Sequence, residues 1–481
     1  MCALSRREFL LSAAAMAAVP KLASSADLPP QNQRTGGSAG KNILLLVADD
    51  LGYGYDLPFI STPNISSLAS RGVKFTNAFA VAPSCSPARA SIYTGVYPHK
   101  HQMLGLATQP DWFSLSSKYA ASNIVNIMKS RGYSTGCIGK LHIEPEERLS
   151  FDYRKKADMR DPSVVRQECS YFLRSNRNPF FLIMGLYDPH VEKNNFIDQY
   201  RGYPPDPIRP EQVKPLPFQL VDDMEQRRRV AGYYNSIRRL DHQVGQVLDV
   251  LKEKGLFDST IVILTSDQGP AFTRSKATLY EAALKVPMIM RWPGVYEKGE
   301  VIDNMVSHLD ILPTLLDYAG IEKPHPLNGT SLRTLGNTDR RIIAENHYHF
   351  PCRYNPQRSI RNRRYKLIEN LSAGVVRYRE HPPTRFIDGD NSYDSAMRYG
   401  RDSVARQIYE RLANPPRIEL YDLQADPYEL TNLAGRKEHA LIEKQLLDEL
   451  HQWQKDDSDP YLDPEYVRND WKKYCNKRLA D

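Results

Sequence analysis

Apolar residues occur along this chain in short continuous runs and in helical repeats, and the two patterns alternate over its first two thirds. The runs Asn42–Ala48, Phe180–Leu186 and Thr260–Thr265 are apolar on both faces, which is typical of buried parallel strands. Between them, Ile124–Arg131 and Met224–Lys254 repeat apolar residues every three or four positions, as amphipathic helices do. This alternation predicts an α/β fold with a doubly wound core around a parallel or mixed sheet.

The pattern changes near residue 338 to shorter apolar runs with more charge between them. Ile342–Glu345, Arg358–Arg361 and Tyr365–Ile368 indicate strands of a small antiparallel sheet, and residues 437 to 454 indicate a terminal helix. We therefore expect a larger domain over 41–337, which carries the candidate chemistry, and a smaller C-terminal α+β subdomain over 338–481.

The N-terminus has the composition of an export signal. Ser5-Arg6-Arg7-Glu8-Phe9-Leu10 resembles the twin-arginine motif, and the apolar segment that follows, Leu11–Val19, is too short to span a membrane. The alternative is a frayed N-terminal helix. We predict a twin-arginine signal peptide over 1–26, a flexible Pro/Gly/Ser-rich linker over 27–40, a periplasmic or secreted mature protein, and no stable membrane insertion.

Charge and cysteine content narrow the class of protein. The net charge of +7 suits an anionic substrate, and without a long basic tract or a nucleic-acid motif we expect no nucleic-acid partner. The six cysteines are scattered and include no CxxC pair, so neither a disulfide framework nor a zinc site is predicted, although one pair could form a bridge.

Polar residues follow the predicted buried strands directly. Asp49 and Asp50 follow the first run, Asp267 and Gln268 follow the third, and ligand sites in open α/β sheets lie beyond such strand ends. These four side chains form an all-oxygen set, which favours Ca²⁺, with Mg²⁺ as the alternative, over zinc or copper. Turn or helix-cap chemistry is the competing reading of the Asp-Asp pair.

Two further strand ends carry titratable groups. Lys140 and His142 end the predicted strand Tyr133–His142, and alternation would place both side chains on one side if the strand continues through them. His190 follows the second buried run. Such groups suit anion binding and proton transfer, whereas the competing readings are a solvated strand end and a capping histidine.

Cys85 lies just before Pro87, at the expected N-terminus of a helix, where unpaired N–H groups favour negative charge. Arg89 follows one helical turn later on the same face. The segment Cys85-Ser86-Pro87-Ala88-Arg89 resembles the signature of the type I, formylglycine-dependent sulfatase family. The competing reading is a small buried cysteine in a turn.

Other motifs extend the resemblance in order over roughly residues 41 to 455. Within the family, the segments that follow are most similar to the N-sulfoglucosamine sulfohydrolase-like group. They are Phe180-Phe181-Leu182 to Asp188-Pro189-His190, Thr265-Ser266-Asp267 to Leu279-Tyr280, and Glu419-Leu420-Tyr421-Asp422. Gln268 and Lys276 depart from that group's pattern and leave N-sulfo against O-sulfo specificity open.

The resemblance implies an alkaline-phosphatase-like core and a hydrolase of sulfated glycans. It implies that a formylglycine-generating or other maturing enzyme oxidises Cys85 to 3-oxoalanine (formylglycine), whose hydrate attacks sulfur. The cation would be held by Asp49, Asp50, Asp267, Gln268 and residue 85. Arg89 would steady the hydrated aldehyde, Lys140 and Lys276 would neutralise sulfate oxygens, His190 would protonate the leaving group, and His142 would assist sulfate release.

Five residues are weaker candidates for contacts with substrate. His99 resembles the family's Pro-His segment, Arg274 is a second candidate for the cation that holds sulfate, and three residues of the C-terminal part could reach the pocket rim: His347, His349 and Arg358. Two other functions stay open, a phosphonate or phosphate ester hydrolase of the same superfamily and a non-catalytic glycan-binding protein with unmodified Cys85. The sequence predicts no oligomeric state.

Overall fold

Eight strands form a mixed sheet, and the predicted apolar runs lie at its centre. The computed structural model describes residues 41–55, 59–108, 113–175, 179–192, 203–336, 339–349, 353–373 and 388–478. The predicted signal peptide over 1–26 and linker over 27–40 lie outside the described residues.

The large sheet has the strand order β4-β3-β5-β1-β6-β7-β2-β8. Neighbours are parallel except that β7 runs antiparallel to β6 and β2. A second sheet, β12-β11-β10-β9, is antiparallel throughout. The strands are β1 Asn42–Ala48, β2 Val73–Phe79, β3 Ser134–Gly139, β4 Tyr153–Lys155, β5 Phe180–Gly185, β6 Thr260–Ser266, β7 Met288–Arg291, β8 Glu300–Ser307, β9 Ile342–His349, β10 Arg353–Arg361, β11 Tyr365–Asn370 and β12 Ile418–Asp422.

Helices connect the strands and cover the large sheet. No helix among the described residues is both long enough and apolar enough to cross a membrane. The α-helices are α1 Pro63–Ser70, α2 Cys85–Thr94, α3 Pro98–His101, α4 Ile124–Ser130, α5 Pro162–Ser175, α6 Met224–Glu253, α7 Glu281–Leu284, α8 Ile311–Ala319, α9 Ser392–Ala396, α10 Val404–Ala413, α11 Ala440–Asp456 and α12 Pro464–Arg478.

The central strand β1 is buried on both faces, as its continuous apolar run predicts. Leu44 and Leu46 pack with Val244 and Val247 of α6, on one face of the sheet. Ile43 and Leu45 pack on the other face, in a cluster that includes residues of α2, α4 and α8. Helices therefore cover both faces, which confirms the predicted α/β core with a doubly wound, mixed sheet.

The C-terminal part confirms the small antiparallel sheet and the terminal helix, now α11, and adds a further helix, α12, that the sequence pattern did not predict. The described residues from 41 onward pack as a single compact unit. The domain division between 337 and 338 falls in a gap between described residues and stays a prediction.

One expectation about β3 is wrong. The strand ends at Gly139 and does not continue through Lys140 and His142. Gly139 has a φ of 83°, and a Cβ there would lie 2.2 Å from the carbonyl oxygen of Gly185 on the neighbouring strand. This close backbone packing bends the chain, and His142 itself adopts a φ of 61°, so strand alternation does not set its direction.

Candidate active site

The strand order brings four chain segments to one edge of the large sheet. Strands β3, β5, β1 and β6 are consecutive neighbours, and all four run parallel. Their carboxyl ends lead directly to Lys140, His190, the Asp49-Asp50 pair and the Asp267-Gln268 pair. The N-terminus of α2 brings Cys85 to the same place.

The ligand atoms of Asp49, Asp50, Cys85 and His190 all lie within 4.8 Å of one another. Asp267 adjoins this group, because its Oδ1 accepts the backbone N–H of Asp50 at 3.0 Å. Gln268 contacts Asp50 through its side-chain amide. The predicted oxygen set is therefore assembled in the fold, and His190 borders it, with its Nε2 3.8 Å from Asp50 Oδ2.

Two buried oxygens in this group have no hydrogen-bond partner among the described residues, namely Oδ1 of Asp49 and Oε1 of Gln268. A buried acceptor without a partner is costly. A hard cation held between these oxygens would satisfy both of them, and carboxylate and amide oxygens are its preferred ligands. The residues present therefore fit a bound Ca²⁺ or Mg²⁺, including the longer amide of Gln268.

The acidity of the three carboxyl groups reflects their crowding. Burial, together with the neighbouring charges of Asp49 and Asp267, raises the pKa of Asp50 well above its usual range, although Lys276 opposes the shift. Burial and Asp49 raise the pKa of Asp267 to about 6. The pKa of Asp49 is lowered well below its usual range, since Lys140 and its other cationic neighbours outweigh its burial. Without a cation, three such carboxylates resist ionising together.

Cys85 is the first residue of α2 and is 1% exposed. Burial raises the pKa of its thiol well above the usual value, although Lys140 and Lys276 oppose the shift. The unmodified side chain is therefore a neutral thiol, which is a weak nucleophile. The position suits chemistry on a modified residue better than chemistry on a cysteine thiolate.

Arg89 connects the strand ends beneath Cys85. Its Nε donates to Asp267 Oδ2 at 2.9 Å, its Nη1 donates to the backbone oxygen of Lys140 at 3.1 Å, and its Nη2 lies 3.7 Å from Asp49 Oδ1. The side chain is completely buried. Arg89 therefore orients two of the candidate cation ligands, a function that the spacing of the signature did not reveal.

The two lysines of the site are each paired with a carboxylate of the cluster. Lys140 Nζ lies 2.5 Å from Asp49 Oδ2, and Lys276 Nζ lies 3.0 Å from Asp50 Oδ1. Lys276 also donates to Asp388 Oδ2 at 2.8 Å. Sequence reasoning missed Asp388, because it lies outside any periodic element and 112 positions after its lysine partner.

Two histidines flank the cluster. His190 Nδ1 lies 2.7 Å from the backbone oxygen of Val191, and its Nε2 lies 3.8 Å from Asp50 Oδ2. Burial and Lys276 lower the pKa of His190 to about 4. Burial and Lys140 lower the pKa of His142 well below its usual range, and its buried Nδ1 has no hydrogen-bond partner among the described residues. Both imidazoles are therefore neutral near pH 7 in the unliganded site.

Three of the predicted substrate residues belong to a separate buried network around Glu345. His99 Nδ1 and His347 Nε2 lie 2.5 Å and 2.9 Å from the Glu345 carboxylate. Arg358 binds Asp459 through two hydrogen bonds of 2.7 Å and 2.9 Å. These contacts connect α3 with the small sheet and the C-terminal segment, and they account for the burial of all three residues. Their contact with substrate stays a prediction.

The remaining two candidates lie in different surroundings. The guanidinium of Arg274 donates to the backbone oxygens of Phe218, Tyr428 and Glu429, which favours a structural role. His349 Nδ1 lies 3.0 Å from Ser84 Oγ, immediately before Cys85. His349 is thus close to the cluster, and the substrate role of either residue stays a prediction.

Comparison with known protein families identifies the family of this chain. The family model described as Sulfatase matches residues 41–321, more than half of the chain. The chain belongs to the sulfatase family. A second model, described as N-sulphoglucosamine sulphohydrolase, C-terminal, matches residues 273–375. These two matches confirm both the family and the similarity to the N-sulfoglucosamine sulfohydrolase group.

Individual sulfatases are similar over most of this chain. Human N-sulphoglucosamine sulphohydrolase is 29% identical over 468 residues, which cover 88% of this chain and 91% of the human protein. An ulvan-active sulfatase of Formosa agariphila is 27% identical and covers 87% of this chain and 80% of its own length. The crystal structure of a putative sulfatase from Bacteroides thetaiotaomicron superimposes with a TM-score of 0.70 at 21% identity, covering 89% of this chain and 96% of that one.

Proposed function

We propose that this sulfatase hydrolyses sulfate esters or N-sulfo groups of sulfated carbohydrates, using formylglycine formed from Cys85 and a divalent cation, with Ca²⁺ preferred to Mg²⁺. One observation carries the proposal: the sulfur of Cys85 lies within 4.8 Å of the ligand atoms of Asp49, Asp50 and His190. The residue to be modified, two of the candidate cation ligands and the candidate proton donor therefore share one site.

The charges of the site support a cation. Three cationic side chains, Arg89, Lys140 and Lys276, are paired with Asp49, Asp50, Asp267 and Asp388. With all of them ionised, the group carries one excess negative charge, which would repel a sulfo group. A divalent cation turns this into one excess positive charge, and a monoanionic sulfo group then matches the site.

The side chains around Cys85 would divide the chemistry. When present, the hydrated aldehyde supplies an oxygen nucleophile for sulfur and the cation supplies Lewis acidity. Lys140 and Lys276 would neutralise the sulfo oxygens while charge moves onto them. Both are already held by carboxylates of the cluster, so little side-chain ordering remains for the substrate to bring about.

His190 would carry the proton to the leaving group. Its Nδ1 faces a backbone oxygen and must donate there, which leaves Nε2 as the nitrogen that exchanges protons with the site. The side chain is 26% exposed, whereas Asp50 beside it is fully buried, so His190 borders the opening of the cluster. An anionic sulfo group bound next to it would favour its protonated form. His142, on the other flank, would assist sulfate release.

The burial of Cys85 indicates when the maturing enzyme would act. Because Cys85 is 1% exposed, a formylglycine-generating or other maturing enzyme would reach it before the fold closes. Export of the folded protein by the twin-arginine route to the periplasm or beyond would then follow. The twin-arginine motif Ser5-Arg6-Arg7-Glu8-Phe9-Leu10 supports the export route.

The first test has two measurements: the mass of the Cys85 peptide from protein made in its native host, and the activity of Cys85→Ala relative to the wild type. We expect the mass of formylglycine in place of cysteine, and no hydrolysis of sulfated sugars by the variant. Cys169→Ala is the matched control, since Cys169 is also a buried free cysteine. Full activity of Cys85→Ala would overturn the proposal, and preferred cleavage of phosphonate or phosphate esters by the wild type would favour that alternative.

A further inference from the structure

Asp388 occupies an unusual place for a carboxylate. Its Oδ2 accepts a hydrogen bond of 2.8 Å from Lys276, whose Nζ also lies 3.0 Å from Asp50 Oδ1. Asp50 and Lys276 are 0% and 2% exposed, whereas the Asp388 side chain is 20% exposed. Lys276 therefore lies between a buried carboxylate and one that borders solvent.

Asp388 lies near His190, because its partner Lys276 and His190 both lie beside Asp50, and the side chains of Asp388 and His190 are both partly exposed. Burial disfavours the ionised form of Asp388, but the charge of Lys276 opposes this effect and the pKa of the carboxyl lies below the usual range, so the carboxylate is ionised near neutral pH. Lys276 donates to the Oδ2 of this carboxylate, whose side chain is 20% exposed. An ionised carboxylate can accept several hydrogen bonds, so Asp388 retains capacity for a donor that arrives from solvent.

A fixed negative charge near His190 opposes the binding of an anionic sulfo group. It also weakens the attraction that Lys276 exerts on sulfo oxygens. The divalent cation compensates this charge in the site as a whole, but close to the carboxylate both effects remain unfavourable for a sulfo group unless Asp388 interacts with another part of the substrate. Because the proton donor His190 lies nearby, that part is the leaving group.

We propose that Asp388 selects substrates whose leaving group is an amine, namely N-sulfo amino sugars, over sugars with sulfate esters. This inference rests on the proposed function. Hydrolysis of an N-sulfo group breaks the S–N bond, forms an S–O bond with water, and transfers water's two protons to nitrogen, giving sulfate and an ammonium group. Hydrolysis of an ester releases a neutral hydroxyl. Asp388 stabilises the positive charge that develops only in the first reaction.

The test compares wild type with Asp388→Asn on N-sulfoglucosamine and on N-acetylglucosamine 6-sulfate. Loss of a charge-assisted hydrogen bond predicts a fall of about 10- to 100-fold in kcat/KM for the N-sulfo sugar. For the ester we expect a change within about threefold, or a gain. Asp388→Glu should restore part of the N-sulfo activity. The exposed Asp402→Asn, which removes the same charge elsewhere, should change neither rate.

A second measurement does not depend on turnover. Calorimetric binding of glucosamine, whose amine is cationic, should weaken about tenfold or more in Asp388→Asn, while binding of N-acetylglucosamine stays unchanged. Equal losses on both substrates would overturn the inference and assign Asp388 to holding Lys276. A wild type that cleaves only the ester would also overturn it but keep the proposed function. A wild type that cleaves neither sugar would remove the proposed function, and the glucosamine titration would still decide whether Asp388 binds an amine.

Discussion

Asp188→Asn removes one charge from a buried cluster that holds the segment carrying His190. Asp188 accepts hydrogen bonds of 2.6 Å and 2.5 Å from Arg239 and one of 2.6 Å from Gln243, both on α6. Arg239 and Asp188 are 1% and 0% exposed. The substitution keeps the shape of the side chain but removes the carboxylate charge that faces the Arg239 guanidinium.

Breaking a buried ion pair from one side costs about 3–5 kcal/mol, because the remaining charge stays out of water. We therefore expect the free energy of unfolding, measured by urea denaturation, to fall by about that amount. Asp206→Asn is the matched control, since Asp206 pairs with Arg238, the next residue on α6, but is 79% exposed. Its removal should leave the unfolding midpoint unchanged.

Asp188→Asn should also lower activity under conditions where the variant is fully folded. The backbone oxygen of Asp188 accepts the N–H of Asp49 at 3.2 Å, and His190 follows two residues later. A displacement of about 1 Å in such a segment costs about 100-fold in rate. An unfolding free energy within about 1 kcal/mol of the wild type would refute the reasoning, because it would mean that Arg239 finds compensation elsewhere.

Three further predictions concern the proton donor, the cation and the buried network. His190→Gln should lower kcat on sulfated sugars by about 100- to 10,000-fold, but much less on nitrophenyl sulfate, whose leaving group needs no proton; equal losses would contradict the role. A chelator should lower the Tm of the mature enzyme, and added Ca²⁺ should restore it; at a Ca²⁺ concentration of 100 times Kd the stabilisation is about 2.7 kcal/mol. An unchanged Tm would mean that Asp49, Asp50 and Asp267 hold no cation. His99→Gln should destabilise most near pH 5.5 and less toward pH 9, measured by urea denaturation at each pH.

The pKa shifts of His99 and Glu345 determine how the stabilisation by this ion pair varies with pH. Burial disfavours the imidazolium, but Glu345 outweighs it and raises the pKa of His99, so this stabilisation is present below about 6.5 and lost as pH rises through the folded value. His99 and Arg358 outweigh burial and lower the pKa of Glu345, so its contribution is present above about 4.5 and lost as pH falls. A difference between wild type and variant that does not vary with pH would contradict the ion pair.

Continuous apolar runs predicted the strands well because burial on both faces leaves a strong signal. The predicted strand Asn42–Ala48 coincides with β1, and the helix predicted over Met224–Lys254 differs from α6 by one residue. Polar residues immediately after such strands were then predictable as site candidates. The course of the chain beyond a strand end was less predictable, because the end of β3 depends on Gly139 meeting Gly185 of another strand.

The surroundings of a side chain were harder to infer than its place in the chain. His99 follows the nucleophile helix in the sequence, yet its partner Glu345 comes from β9, 246 positions later. Arg358 likewise pairs with Asp459 of the C-terminal segment. No local pattern records such partners, because a salt bridge depends only on the final packing of both elements.

The residues that the sequence pattern predicted have proposed roles in catalysis, whereas Asp388, which it did not predict, has a proposed role in substrate selectivity. Asp49, Lys140, His190 and Asp267 each follow a strand of one rigid sheet, so their positions are set by hydrogen-bonded neighbours and need little reorganisation during reaction. Asp388 lies between elements, near the opening, and contacts the site through Lys276. Segments of this kind can change without disturbing the sheet. If the proposed roles hold, related sulfatases should keep the strand-end residues and differ in substrate through residues placed like Asp388.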